Sequence, residues 1–308
     1  MYTAFSVDPW KLTEHAVPRE HMRLSESLCS LGNGYMGMRG NFEETYSGDS
    51  HRGTYLAGVW FPDKTRVGWW KNGYPQYFGK VINAMNLISL RVIVDGHEID
   101  LFKDDVLAYE RTLDMRRGVL SRAFTVRLAQ GDVEIAVERF VSLTQREALA
   151  VRMAVTPSFP AHVRLVPALD ARVRNEDSNY DETFWDFTDQ GTDGGSGAAL
   201  LPDAYRSAYE ASALEGAVHY VCAKTKDNPF GTPRFAVCGA MSCSAIGLTP
   251  VSAQTDDGFA AALYAGRLDA GETAVLDKFV AVATSRDMDE QALAPQAVRI
   301  CRRIRAQG

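Results

Sequence analysis

The chain has no basic run and no excess of positive charge. Lysine and arginine number 33 against 39 aspartate and glutamate, a formal net charge of -6. No nucleic-acid partner is expected. No apolar stretch is as long as a membrane-spanning helix, so no membrane partner is expected either. The residues after Met1, YTAFSVDPWKLTEH, have neither a basic start nor an apolar run, and no signal peptide is expected. The five cysteines, Cys29, Cys222, Cys238, Cys243 and Cys301, are odd in number and show no CxxC spacing. Neither a disulfide framework nor a zinc site is indicated. The expectation is buried free thiols in a reducing cytoplasm, with Cys238 and Cys243 in one strand region. The six histidines, His15, His21, His51, His97, His162 and His219, include no pair at helical metal-ligand spacing, so no metal is assigned. Helical periodicity is also scarce, and no amphipathic helix is expected before about residue 287.

What the chain does have is short alternating apolar runs. Hydrophobic residues make up 46% of 308, enough for a sizeable core in one large domain or two ordinary ones. The first ~80 residues, rich in Gly, Tyr and Trp, read as strands and long ordered loops. RVIVDGHEIDL flanks Asp95-Gly96 with apolar stretches, a two-residue hairpin turn, and places His97 at an exposed position. In RAFTVRLAQGDVEIAVERFVSL, Phe124, Val126 and Leu128 alternate, a turn follows at Gln130-Gly131-Asp132, and Val133, Ile135 and Val137 alternate again. ALAVRMAVTP and HVRLVPALDARV continue as strands, TDQGTDGGSGAALLPDAYRS reads as a Gly-rich loop, and FAAALYAGRLDAGETAVLDKFVAVATSRD reads as a long hairpin around Ala270-Gly271. The pattern predicts an all-β fold, a large antiparallel β-sandwich over residues 1–284. Residues 285–308 are helix-prone and basic, with little apolar surface of their own, and read as the start of a helical linker. No internal repeat is evident.

SLGNGYMGMRG, residues 30 to 40, contains Gly32-x-Gly34-x-x-Gly37, the spacing of a dinucleotide-binding loop. That loop needs a buried strand before it and a helix after it. RLSESLCSL is a poor buried strand, Gly40 would break a helix, and no βαβ unit follows. The glycines are expected in a tightly packed corner of loop and strand, where they permit positive φ or close backbone approach.

The stretch from Glu26 to Asn86, ESLCSLGNGYMGMRGNFEETYSGDSHRGTYLAGVWFPDKTRVGWWKNGYPQYFGKVINAMN, closely resembles the N-terminal region of glycoside hydrolase family 65. YERTLDMRRGVLSRAF, RFVSLTQREALAV, NEDSNYDETFW and KFVAVATSRD match in order, so the resemblance covers nearly the whole chain. It implies an N-terminal super-β-sandwich of the galactose-mutarotase type, a helical linker, an (α/α)6 catalytic barrel and a small C-terminal β domain. Residues 1–308 match the sandwich and the start of the linker. The general acid and the phosphate-binding residues of the family lie in the barrel, so no catalytic residue is assigned here. The implied function is that of a non-catalytic domain of an inverting disaccharide phosphorylase. Its partners would be the barrel, a second subunit in a homodimer and, through the parent enzyme, disaccharide and inorganic phosphate. No cofactor is implied. VGWWKNGYPQYFGKVINAMN favours maltose, converted with phosphate to β-glucose 1-phosphate and glucose; trehalose, kojibiose and nigerose are the alternatives.

Inverting chemistry at a glycosidic bond needs a protonated carboxyl group and, for hydrolysis, a second carboxylate opposite it. Glu43 with Glu44, Glu176 with Asp177, and Asp181 with Glu182 are the carboxylate clusters, each expected to be solvated or hydrogen-bonded in loops. Two stretches are candidates for a position near carbohydrate or at an interface. Asn175, Glu176, Asp177, Tyr180 and Trp185 combine aromatic faces with amides and acids. Trp69, Trp70 and Tyr74 lie among further aromatics and cations between Trp60 and Phe78. A reading of another class is a self-sufficient mutarotase-like enzyme, which needs a histidine acid and a carboxylate base converging on one sugar. His162, His219, Glu134 and Glu138 are its candidates.

Overall fold

The computed structural model describes residues 5–65, 73–175, 183–194 and 214–308. Strands are numbered in chain order and pair antiparallel within four sheets. The largest sheet has ten strands in the order β1 (Phe5–Val7), β2 (Lys11–Glu14), β10 (Asp105–Asp114), β11 (Val119–Leu128), β12 (Gly131–Val141), β13 (Ala148–Pro157), β20 (Ala274–Thr284), β17 (Ala236–Ile246), β16 (Val218–Thr225) and β15 (Trp185–Asp193). The second has five, in the order β18 (Thr249–Asp256), β19 (Phe259–Leu268), β14 (Ala161–Asp170), β8 (Leu90–Val94) and β9 (His97–Glu98). Three short strands, β3 (Leu31–Gly32), β4 (Met36–Met38) and β5 (Thr54–Leu56), form a third sheet. A hairpin of β6 (Trp60–Lys64) and β7 (Tyr77–Val81) forms the fourth. The large all-β antiparallel sandwich predicted from the sequence is the fold observed.

Alternation decides what lies between the two main sheets. On β12, Val133, Ile135 and Val137 are buried while Glu134, Ala136 and Glu138 are exposed. Leu90, Val92 and Val94 of β8 and Val163 and Leu165 of β14 join the same core from the five-stranded sheet. The Asp95-Gly96 turn between β8 and β9 has φ of 47° and 87°, the doubly left-handed geometry of a two-residue hairpin turn.

Five features differ from the sequence reading. The stretch around Ala270-Gly271 is not a hairpin, because β19 pairs with β14 and β18 while β20 pairs with β13 and β17. The turn carries the chain from one sheet to the other, a choice that alternation within each strand does not encode. The loop expected from Thr188 is strand as far as Asp193; β15 is a polar edge strand paired only to β16, so it lacks the apolar pattern of a central strand. A short helix, α1 (Met22–Leu28), lies where no helix was expected. Its buried face includes Ser25 and Glu26, which hydrogen bonds rather than apolar contacts hold inside. The C-terminal helix α2 (Leu293–Gln307) has more apolar surface than its composition suggested. Leu293, Ala297, Val298, Ile300, Cys301 and Ile304 are buried against Val218, Ala236, Ala240, Phe279, Ala281 and Ala283 of the ten-stranded sheet. Small residues on both sides let the helix approach closely, which compensates for the scarcity of large ones. Finally, Cys222 and Cys238, directly opposite each other on β16 and β17, form a disulfide, leaving Cys29, Cys243 and Cys301 as buried free thiols. Their separation of 16 residues is not a disulfide signature, and only the strand register brings them together.

Among the described residues no helix is long and apolar enough to cross a membrane.

Candidate functional site

The glycine run folds as the predicted corner. Gly32 on β3 pairs with Gly37 on β4, and Gly34 takes φ of 84° in the turn between them. Asn33 fixes that turn. Its Oδ1 accepts from the Tyr35 and Met36 amides at 3.0 and 2.9 Å, and its Nδ2 donates to the Ser142 and Arg146 carbonyls. A Cβ on Gly40 would stand 2.6 Å from the Cys29 Cβ and about 3 Å from two carbonyl oxygens, so close packing requires glycine there.

Beyond Gly40, the carboxylates Glu43 and Glu44 enter the sandwich instead of facing solvent. Arg111, Arg122 and Arg139 project inward from β10, β11 and β12 and are nearly inaccessible. Arg122 Nη2 donates to Glu43 at 2.7 Å and to Glu44 at 2.5 Å, while Arg139 Nη1 donates to the other Glu43 oxygen at 2.6 Å. Arg111 pairs with Glu14 at 2.7 Å. Phe42 lies among these cations, with its ring centroid 4.1 Å from the Arg122 guanidinium carbon and 5.3 Å from that of Arg111. Burial alone would raise the Glu43 pKa, but the guanidinium groups of Arg139 and Arg122 outweigh it and hold the carboxyl below its usual range. Burial opposes the charge of Arg122, yet Glu44 and Glu43 keep its pKa above the ordinary arginine value. These carboxylates are counter-ions of buried arginines.

A second constellation surrounds Asn83. Its Oδ1 accepts from the Thr54 amide at 2.9 Å, and its Nδ2 donates to the carbonyls of Arg52 and Arg174 at 3.3 and 3.1 Å. Its main-chain N–H donates to Asn175 Oδ1 at 2.8 Å, and its carbonyl accepts from Trp185 Nε1 at 2.8 Å. One buried residue thus ties together four segments that are distant in sequence. Residues 52–54, 83 and 174 of these border a cleft of about 250 Å³ with Met38, Phe42 and Ile88 on its walls and Arg52, Asn86 and Arg174 among its polar lining.

Of the candidates read from sequence, Asn175 is half-buried and anchors residues 81–83 through Asn83 and the Val81 carbonyl. Trp185 is 3% exposed and belongs to the core, so its ring offers no free face. Tyr74 is 46% exposed and meets Phe78 edge-on, with ring centroids 6.4 Å apart. Trp69, Trp70, Glu176, Asp177 and Tyr180 lie outside the described residues, as do Asp181 and Glu182. Nothing in the patterning singled out Asn83, Arg52 or Arg174. The one available signal is the pair of amides, Asn83 and Asn86, within the mostly apolar run VINAMNLISL.

The mutarotase candidates do not converge. His162 is on β14 of the five-stranded sheet, whereas Glu134 and Glu138 are on the outward face of β12 in the other sheet. His219 is buried, its Nδ1 lies 2.8 Å from the Thr192 hydroxyl, and burial lowers its pKa to about 4. His97 contacts Asp104 and His15 contacts Glu110, both histidines being exposed. Among the described residues no group of three His, Cys, Asp or Glu is placed to hold a metal.

Fold and site together define a super-β-sandwich domain whose buried carboxylates balance arginines. The chain belongs to glycosyl hydrolase family 65: the sequence model of that family's N-terminal domain matches residues 12–308. It is 47% identical over 294 residues to maltose phosphorylase of Bacillus subtilis, covering 95% of this chain and 35% of that protein. It is 27% identical to the alpha,alpha-trehalose phosphorylase of Thermoanaerobacter brockii, covering 96% of this chain and 36% of that protein. A solved structure from the human microbiome, assigned provisionally to kojibiose phosphorylase, superposes with a TM-score of 0.81 over 98% of this chain at 20% identity, a likeness of fold. The chain spans about a third of the length of these relatives.

Proposed function

We propose that this chain is the accessory sandwich domain of an inverting disaccharide phosphorylase that converts maltose and phosphate to β-glucose 1-phosphate and glucose. The observation that carries the reading is the 47% identity to a maltose phosphorylase across 95% of the chain but only 35% of that relative. The buried acids support it, since Glu14, Glu43 and Glu44 are each committed to an arginine. In this reading residues 1–284 form the sandwich and 285–308 begin a linker to an (α/α)6 barrel that supplies the catalytic groups. The domain packs against the barrel, contributes to a homodimer, works in the cytoplasm and needs no cofactor. Tyr74, Phe78 and Val81, exposed on and beside the β6–β7 hairpin, fit an interface, and the stretch 175–185 is its carbohydrate-proximal element. Trehalose, kojibiose and nigerose remain the alternative substrates.

The test is phosphorolysis. The purified chain is incubated with maltose and phosphate, and glucose 1-phosphate is assayed with and without the separately produced barrel. The expected result is no product from the chain alone and activity when the barrel is added. Product from the chain alone would refute the accessory reading.

A further inference from the structure

We propose that the cleft bordered by Arg52, Asn86 and Arg174 binds a phosphate group, as inorganic phosphate or as the phosphate of a hexose phosphate. The inference stands on the cleft's own residues and not on the location of catalysis. Arg174 makes no hydrogen bond or ion pair through its side chain among the described residues. Arg52 uses one of its donors, from Nη2 to the Tyr46 carbonyl at 3.2 Å, and has no ion pair there. The third arginine of the cleft, Arg172, is already neutralised, its Nε and Nη2 lying 2.9 and 3.3 Å from the two oxygens of Asp170. The cleft is therefore lined by two arginines that have no ion pair, and by no free carboxylate, among the described residues.

The two arginines are held at the cleft by their main chains. The Asn83 amide donates to the main-chain carbonyls of both Arg52 and Arg174, which fixes their backbones on either side of one buried side chain. Asn86 lies on the same cleft; its Oδ1 accepts from the Ile88 amide at 3.2 Å, which leaves its Nδ2 donors without a partner among the described residues. Arginine forks and an amide are the donors that match a tetrahedral oxyanion. The apolar wall of Met38, Phe42 and Ile88 suits the less polar face of a pyranose ring. A volume of about 250 Å³ is below the range for drug-sized ligands. It accommodates a single phosphate or one hexose phosphate.

The test is calorimetric titration of the 308-residue chain with inorganic phosphate, glucose 1-phosphate and glucose at constant ionic strength. The variants are Arg52→Gln/Arg174→Gln and, as a surface control, Arg116→Gln. The expected result is saturable binding of at least one phosphate compound and none of glucose. Affinity should fall roughly tenfold or more in the double variant and stay unchanged in the control. Glucose 1-phosphate binding several-fold more tightly than phosphate identifies a hexose phosphate as the ligand; equal affinity identifies the phosphate group alone. Both arginine side chains are solvent-exposed, and circular dichroism checks folding. Arg174→Gln alone replaces the double variant if the latter is unstable. Absence of saturable binding, or binding that survives loss of the arginines, overturns the proposal.

Discussion

Replacing Glu43 by glutamine removes one negative charge from the interior of the sandwich while keeping the side-chain volume. Glu43 accepts from Arg122 at 2.7 Å and from Arg139 at 2.6 Å, and both guanidinium groups are almost wholly buried. Glutamine has one acceptor oxygen, so its amide nitrogen would face a donor on the other side. One cation is left without its partner in a medium that solvates it poorly. Breaking a buried pair from one side costs about 3–5 kcal/mol. For a chain of this size each kcal/mol moves the melting temperature by roughly 2 °C, so calorimetry at pH 7 should show a fall of roughly 6–10 °C. Asp132→Asn is the control, because its pair with Arg127 is exposed and its loss should leave the melting temperature essentially unchanged. The Glu43 pKa is lowered in the folded protein, so its contribution is present above the unfolded pKa of about 4.3 and is lost as pH falls through the folded value. The gap between the two proteins should therefore narrow in acid. The double variant Glu43→Gln/Arg139→Gln removes the charge imbalance and should cost less than the two single changes added. A Glu43→Gln protein within about 1 kcal/mol of wild type at pH 7 would show that this reading of the lattice is wrong.

Three further outcomes are expected. Gly40→Ala meets main-chain atoms and a Cβ that cannot move aside and should cost about 2–3 kcal/mol in urea unfolding, whereas Gly34→Ala enters open space and bears only the left-handed φ, about 1 kcal/mol; the reverse order would contradict the packing described. Burial lowers the Lys278 pKa from 10.5 to about 7, so between those values the unfolded chain binds a proton that the folded one does not, and stability rises with pH. Lys278→Met should flatten that rise between pH 7 and 9 by roughly 2–3 kcal/mol, read from urea midpoints; an unchanged slope would mean that the amine stays charged when buried. Protein purified without reductant and then denatured should titrate three thiols, Cys29, Cys243 and Cys301, and five after reduction; five before reduction would show that Cys222 and Cys238 are not joined.

What the sequence made legible follows from which interactions are local. The Asp95-Gly96 turn and the alternation of Val133, Ile135 and Val137 are decided by neighbours a few residues away, and both appear as read. The partner of β20 is decided by residues such as Leu149 and Val280, which meet only after folding. Alternation gives a strand two faces but does not state which sheet it joins. The same limit applies to charge. Arg111, Arg122 and Arg139 occupy inward positions of their strands, where the rule that arginines face water fails because Glu14, Glu43 and Glu44 arrive from elsewhere in the chain. Asn83 was unreadable for a related reason. An asparagine in an apolar run becomes informative only when residues 52, 54, 174, 175 and 185 are seen around it.

The arginine lattice also explains why the glycine run has its composition. Arg139 donates to the carbonyls of Arg39 and Asn41, and Arg111 donates to that of Gly40, so the ten-stranded sheet grips the chain at the end of the run. The grip works only if those carbonyls come close to the sheet, and Gly40 permits this by having no side chain between them and Cys29. A one-residue slip of β12 would bring Glu138 or Phe140 inward in place of Arg139 and leave Glu43 short of a cation. Register, the ionic lattice and the glycine corner therefore specify one another. The strand that leaves this corner, β5, carries Thr54, whose amide is held by the Asn83 side chain, next to Arg52 on the cleft. An altered register in the sheet would thus displace the Arg52 wall of the cleft relative to Arg174, which lies in the segment after β14. Binding at the cleft would weaken with no change to any residue that lines it.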